Sequence, residues 1–548
     1  MTLGTVPSFA QWNSSSSVNT PVCTGVANDQ KNLTMGTDTK GGTIIVWADG
    51  RADTVRTDVY VQRLNSAGVA KWATNGIPIC TDTSKQSSVA MTEDGNGGAI
   101  IAWNDYRNGY VQDIYAQKID STGNIKWTTN GVSVCSKAGI QKGPKLVSDG
   151  AGGAIIVWED SSSSATNWDI YAQHINSSGA QTWTTGGVSI CALAHTQSTP
   201  KIQMDGAGGA LLVWQDKRNN VDYDIYAQRI NAAGVVQWAA SGVFVVSVAN
   251  TQGYEKLKSD GQGGAYIVWQ DKRNSALKNY DIYAQYVNAA GAMQWAVNGV
   301  LVCGYDSTQK AIDIVTYKVN GAIITWQDKR NGEYDVYAQK INTNGTIAWA
   351  TDGILVGSGI YKQISPNVVS DGAGGAILTW QDSCCGSWDV KSQRVSGTGT
   401  LLWTAGGVVV ANATNSQTSF DAVTDSAGGC IYSWQDYRSG TNFDVYAHHL
   451  NANGSATSGI NEQNAFVASK VFPNPFSVST VIELKTPFVN GEVQFSMFDL
   501  LGHKADASYY MYQNEIHLFC GDIQDGIYFY EVKINNSFVS KGKLILAH

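Results

Sequence analysis

Ala210-Leu-Leu-Val-Trp214-Gln-Asp216 is an apolar run of strand length that ends in Trp-x-Asp. The element recurs with its tryptophan at Trp47, Trp103, Trp158, Trp214, Trp269, Trp326, Trp380 and Trp434, at intervals of 56, 55, 56, 55, 57, 54 and 54 residues. Short strands repeated at such a period are the sequence signature of propeller blades. Working outward, Lys201-Ile-Gln-Met-Asp205 reads as a preceding strand, and Gly206-Ala-Gly-Gly209 as a tight turn in which glycine supplies positive φ. After a polar loop, Asp224-Ile-Tyr-Ala-Gln-Arg-Ile230 alternates with period two and makes a third strand. Asn231-Ala-Ala-Gly234 turns the chain again, and Val235-Val-Gln-Trp238 is expected as the outermost strand. The fold class read from this pattern is all-β, an eight-bladed β-propeller.

A second periodic tryptophan occurs at Trp72, Trp127, Trp183, Trp238, Trp295, Trp349 and Trp403, and the eighth repeat lacks one. Ser8-Phe-Ala-Gln-Trp12 supplies the missing copy at the other end of the chain, so the N-terminal strand is expected to complete the last blade beside Asp444–Leu450. Such a splice removes open sheet edges. The segment Asp120-Ser-Thr-Gly-Asn-Ile-Lys-Trp127 resembles, one residue shorter, the tryptophan-docking motif of eight-bladed quinoprotein dehydrogenases. The resemblance implies docked blades rather than quinone chemistry, and no cofactor is expected.

Of 548 residues only 15% are charged, with a net charge of −8, which argues against a nucleic-acid surface. Apolar stretches are strand-length, so no membrane span is expected. Met1-Thr-Leu-Gly-Thr5 lacks the basic start and apolar core of a signal peptide. Cys23, Cys80, Cys135, Cys191 and Cys303 share one repeat position. Neighbouring copies are expected on the order of 10 Å apart, too far for bridging, so they read as small buried hydrophobes.

The repeat stops after Gly454. The propeller is assigned to residues 1–455, a linker to 456–468 and a second domain to 469–548. This last part contains Val471-Phe-Pro473-Asn474-Pro475-Phe476, then Phe498-Asp-Leu-Leu-Gly502, Gly526-Ile-Tyr528 and Gly542-Lys543-Leu-Ile545. In order and type these resemble the type A C-terminal sorting domain of the Bacteroidetes type IX secretion system. The resemblance implies a seven-stranded β-sandwich, the type IX machinery as partner, and a secreted or outer-membrane-surface location.

Every repeat places Asp two residues after its central tryptophan, and six follow with Arg two further on: Arg51, Arg107, Arg218, Arg273, Arg330 and Arg438. Near-identical copies around a ring argue for scaffold. Ahead of the third strand stands an aromatic residue in six repeats: Trp168, Tyr223, Tyr280, Tyr334, Trp388 and Phe443. These are the candidate ligand contacts on the loop face, where rings stack on sugars or on side chains, although the favoured reading of each ring is that it covers the next blade's edge. Repeats three and seven depart most from the common loop, which points to Trp168, Trp388 and the adjacent Cys384 and Cys385, a pair able to form a vicinal disulfide. Quinoprotein alcohol dehydrogenases also carry such a pair. No zinc-type His cluster, nucleophile elbow, phosphate loop or sialidase-type Asp box is present, and no metal site is expected.

The leading expectation is an exported, non-enzymatic binding or adhesion propeller whose partner is a polysaccharide or a surface protein. One alternative is a self-assembling surface or filament subunit. The other is an extracellular polysaccharide-degrading enzyme, which requires carboxylates unique to one part of the face.

Overall fold

The computed structural model describes residues 12–456, apart from 54, 110, 165–166, 275–279, 317–320 and 384–385, and residues 470–547, apart from 485–492, 500–502, 522 and 535–536. The chain divides into two compact units, within Met1–Gly459 and Ile460–His548. In the first unit the described residues form eight four-stranded antiparallel sheets. The innermost strand of each sheet contacts that of the next, all the way around a closed ring. Each Ala-Leu-Leu-Val-Trp-type strand lies second from the axis, and Trp214 and its seven counterparts are fully buried.

The outermost strand differs from the expectation. In the fourth blade it is Val243–Val246, paired with Asp224–Ile230, whereas Val235–Trp238 makes one isolated bridge, Ile230 to Val236. The reason lies in the tryptophan. The Trp238 indole N–H donates to the Ala289 carbonyl of the following blade at 3.0 Å, which draws its segment away from the ladder. The Trp183 indole donates in the same way to Ala232 at 3.0 Å, beside Gly234, whose φ is +81° and where a Cβ would stand 2.8 Å from that ring. Only glycine fits such a turn. Gln228 fixes the docking segment: its Oε1 accepts the Trp238 N–H at 3.0 Å and its Nε2 donates to Ala239 O at 2.8 Å.

Closure uses the N-terminus, with a shifted strand. Thr20–Cys23 pairs with Asp444–Leu450, while residues 8–11 lie outside the described ones. Trp12 is the eighth docking tryptophan, its indole donating to Ser66 O at 2.8 Å. At this seam the docking glutamine of the other blades is replaced by His448, which is buried.

The Asp–Arg pairs hold the loop side. Asp216 accepts the Trp214 indole N–H at 2.9 Å and Arg218 Nε at 2.9 Å. The same arginine donates to Ser241 O at 2.9 Å and lies 3.6 Å over the Tyr226 ring. Blades lacking this arginine recruit a lysine. In blade three Lys137 sits 4.1 Å over Tyr171. In blade seven Lys391 replaces the tyrosine and pairs with Asp382 at 3.1 Å. A cation that is replaced when lost is structural. The repeated cysteines close the same cluster: Cys191 Sγ is 3.7 Å from Asp216 Oδ2, and burial pushes its thiol up to about 12.

In the second unit two four-stranded sheets enclose a core that includes Ile482, Met497, Ile516 and Tyr530. Among the described residues eight strands are present where the resemblance implies seven, and Lys504–Ala505 is a two-residue edge. Asn474 ties the Pro-Asn-Pro segment to the last strand, donating to Lys543 O at 2.8 Å and accepting from Ile545 N at 2.8 Å. Gly542 faces the Tyr530 hydroxyl, which would stand 2.7 Å from a Cβ there. Tyr528 donates to Gln524 O at 2.8 Å.

Replacing Arg218 with Ala strands the buried Asp216 carboxylate. Stability should fall by about 2 to 4 kcal/mol in urea unfolding, and a loss under about 0.5 kcal/mol would refute the structural role.

Burial lowers His448 to about 4, so the folded seam excludes a proton that the unfolded chain takes up near pH 6.5. Stability from this group is therefore complete above about pH 6.5 and falls by about 3 kcal/mol as pH drops to about 4. The variant His448→Gln should lose that slope, which paired urea melts across this range would measure.

Candidate functional site

All eight innermost strands open with a glutamine whose backbone pairs with the Trp-x-Asp aspartate, as Gln252 does with Asp271. Two residues later each strand carries a bulge and a residue in the left-handed region: Asn32, Ser88, Gly143, Thr199, Tyr254, Ala311, Ser365 and Ser419. Bulges of this kind re-aim the side chains that follow. Tyr254 is the one bulky residue at this position, at φ 57° and 61% exposed, a strained arrangement of the kind that clusters at functional sites.

The next position is Leu33, Val89, Pro144, Pro200, Glu255, Ile312, Pro366 and Phe420. Seven are apolar and one is a carboxylic acid, which is fully buried. Glu255 Oε1 accepts the Thr199 hydroxyl at 2.9 Å and Oε2 accepts Gln215 Nε2 at 3.0 Å. Burial holds its carboxyl above the usual carboxylate range, opposed by the charge of Lys201. The residue following each central tryptophan is acidic only in blade three, as Glu159. Glu159 accepts the Thr199 backbone N–H at 2.7 Å and pairs with Lys142 at 3.3 Å. Both carboxyls thus touch one residue, which keeps them within about 9 Å, inside the range over which paired carboxylates cooperate at a glycosidic bond.

One position further, the ring reads Thr34, Ala90, Lys145, Lys201, Lys256, Asp313, Asn367 and Asp421. The charges are segregated by blade. Burial and the neighbouring lysines push Lys145 down, and burial does the same to Lys201. Across the channel Asp421 accepts the Met35 N–H at 3.1 Å, and burial raises its carboxyl. Above Glu255 the mouth opens into a depression of about 1080 Å³ lined by Tyr223, Tyr254, Tyr280, Lys201, Lys256 and Lys310 among others. The Tyr254 and Tyr280 rings meet edge to face, 6.2 Å between centroids.

Of the six expected aromatics, Tyr223 and Tyr280 line this depression. The others stand at other blade boundaries. Trp168 is capped by Lys142 at 3.6 Å, Tyr334 by Lys310 at 4.7 Å and Phe443 by Lys31 at 5.2 Å. Trp388 lines a smaller depression of about 590 Å³ with Tyr361 and Lys362. Cys384 and Cys385 lie outside the described residues. The six are spread around the ring because each marks one blade boundary; the Trp168 and Trp388 carbonyls accept the next blade's glutamine N–H at 2.7 and 2.6 Å. Glu255, Thr199, Tyr254 and the lysines were not among the expected site residues. Aligning the eight repeats on the innermost glutamine, rather than on the loops, would have exposed them. Among the described residues no group of three or more His, Cys, Asp or Glu is placed to hold a metal ion, and no helix is long and apolar enough to cross a membrane.

Residues 470–547 match the family described as the secretion system C-terminal sorting domain. The chain therefore carries a type IX sorting tail, is exported to the cell surface or beyond, and meets the export machinery through that tail. No curated protein matches the chain. Among solved structures it is similar to an α-L-arabinanase of Penicillium chrysogenum, at 12% identity over 68% of this chain and 94% of that one, with TM-score 0.35. It is also similar to the polysaccharide lyase Uly1, at 9% identity over 78% and 90%, TM-score 0.42. A dipeptidyl peptidase 4 of Porphyromonas gingivalis matches at 8% identity over 85% and 65%, TM-score 0.41. These likenesses are of fold alone. The expectation of a non-enzymatic protein is nevertheless corrected. The ground for the expectation, that no carboxylate stands apart from its equivalents, fails at Glu255.

Tyr254→Gly should relieve the left-handed strain and leave stability unchanged or raised by up to about 1 kcal/mol. A clear fall in denaturation midpoint would show that the ring is packing rather than poised for a ligand.

Proposed function

We propose that this exported chain is a glycan-active enzyme working on extracellular polysaccharide at the mouth of the propeller channel, with Glu255 as proton donor. The observation that carries the reading is the replacement of an apolar residue by a buried, raised carboxyl at one of eight equivalent positions. A carboxyl that burial makes hold its proton more tightly than usual is suited to protonating a glycosidic leaving oxygen. Pairs of carboxyls held in different environments divide acid and charge-bearing roles, and Glu159, held by Lys142 and the Thr199 amide, supports the second role. Tyr223, Tyr254 and Tyr280 offer faces on which sugar rings stack.

Product release from a panel of polysaccharides tests this. Glu255→Gln should lower kcat by about 10²- to 10⁴-fold, the usual contribution of general acid catalysis, with affinity little changed. A donor must be protonated, so the rate should fall as pH rises through the elevated Glu255 value. Full activity in the variant, or no product from any chain the protein binds, would overturn the proposal.

A further inference from the structure

The lysines do not carry the transferred proton; Lys201 acts on Glu255 only through its charge, which opposes the rise of that carboxyl. Lys145, Lys201 and Lys256 occupy one register on three consecutive innermost strands and line a common cavity of about 540 Å³ in the channel. Lys201 and Lys256 also line the mouth, where Lys310 joins them. Compensation is incomplete. Lys256 Nζ is 3.7 Å from Asp313 Oδ1, but that carboxylate is also engaged by the Val368 N–H at 3.0 Å. Among the described residues Lys145 has no ion-pair partner. In a chain of net charge −8, three like charges gathered inside a channel oppose one another and resist desolvation. Such an arrangement is unfavourable to the fold and favourable to an anion.

Building on the glycan-active reading, we propose that the polysaccharide taken at this mouth is anionic. Its carboxylate or sulfate groups are held by Lys201 and Lys256 with Lys145 beneath them, while the tyrosines stack on the sugar rings. The lysines select the charge and the aromatics select the sugar. Neutral chains offer the lysines hydroxyl oxygens but no negative charge to offset their mutual repulsion.

Affinity electrophoresis of the full-length protein in gels containing polygalacturonate, dextran sulfate or dextran separates the cases. Retention by polygalacturonate alone identifies carboxylate, by dextran sulfate alone sulfate, and either supports the proposal. Lys201→Gln with Lys256→Gln should weaken retention at least tenfold, and so should raising salt from about 50 to about 300 mM. Lys145→Gln should melt at the same or a higher temperature than the parent, since it relieves repulsion; a structural lysine would do the opposite. Failure of both anionic gels to retard the protein overturns the proposal, as does retention that the lysine pair leaves unchanged. Turnover of a neutral chain dependent on Glu255 but not on the lysines would sink this inference and leave the enzyme reading standing. Lysine-dependent retention without product would do the reverse.

Discussion

The indole N–H of each docking tryptophan, given to a carbonyl in the neighbouring blade, is the contact on which the ring depends. A four-stranded sheet cannot bury both faces alone, so a blade is stable only between two others. The tryptophan fills the wedge between outer edges, and its N–H is satisfied only if the next blade is in register. This explains the glycine it covers, the glutamine that fixes its backbone, and the recruitment of Trp12 from the far end of the chain. A ring of seven such contacts would leave one blade with an open edge, the usual route to self-association.

Repetition also supplies an internal control. Where a role is structural, loss of one residue is answered by another: Lys137 and Lys391 take over from the missing arginines, and His448 takes the glutamine position at the splice. Where a departure brings no compensation, the scaffold gives no reason for it. Glu255 among apolar residues, Tyr254 at a left-handed bulge and the lysines Lys201 and Lys256 are departures of this second kind, and they converge on one depression.

The period of the central tryptophan made the eight blades legible, and the sorting tail was legible from four short motifs in order. The outermost strand was misplaced because Val235-Val-Gln-Trp238 alternates like a strand, whereas its backbone leaves the ladder after one bridge so that the indole can reach across. The site was harder to read for a geometric reason. Loops after Trp-x-Asp differ in length and draw attention, but the channel is built by the innermost strands, whose members are about 55 residues apart in sequence and adjacent only in the ring. Tyr223 and Tyr280 were recognised because an aromatic precedes the third strand in six repeats; Glu255 stands on a strand that reads as ordinary core.

The position of the mouth in the ring is itself informative. Blades four and five, which carry Thr199 and Glu255, lie opposite the seam where the N-terminal strand joins the last blade. That seam is where a blade is completed by a strand from a distant part of the chain, Thr20–Cys23 on Asp444–Leu450, so local opening should start there. A site assembled from three innermost strands tolerates little displacement: Thr199 must reach both Glu159 and Glu255, which belong to blades on either side of its own. Strain at Tyr254 and repulsion among the lysines weaken whichever blades carry them. Far from the seam, with closed neighbours on both sides, those blades are the ones best able to hold such a cluster in a fixed geometry.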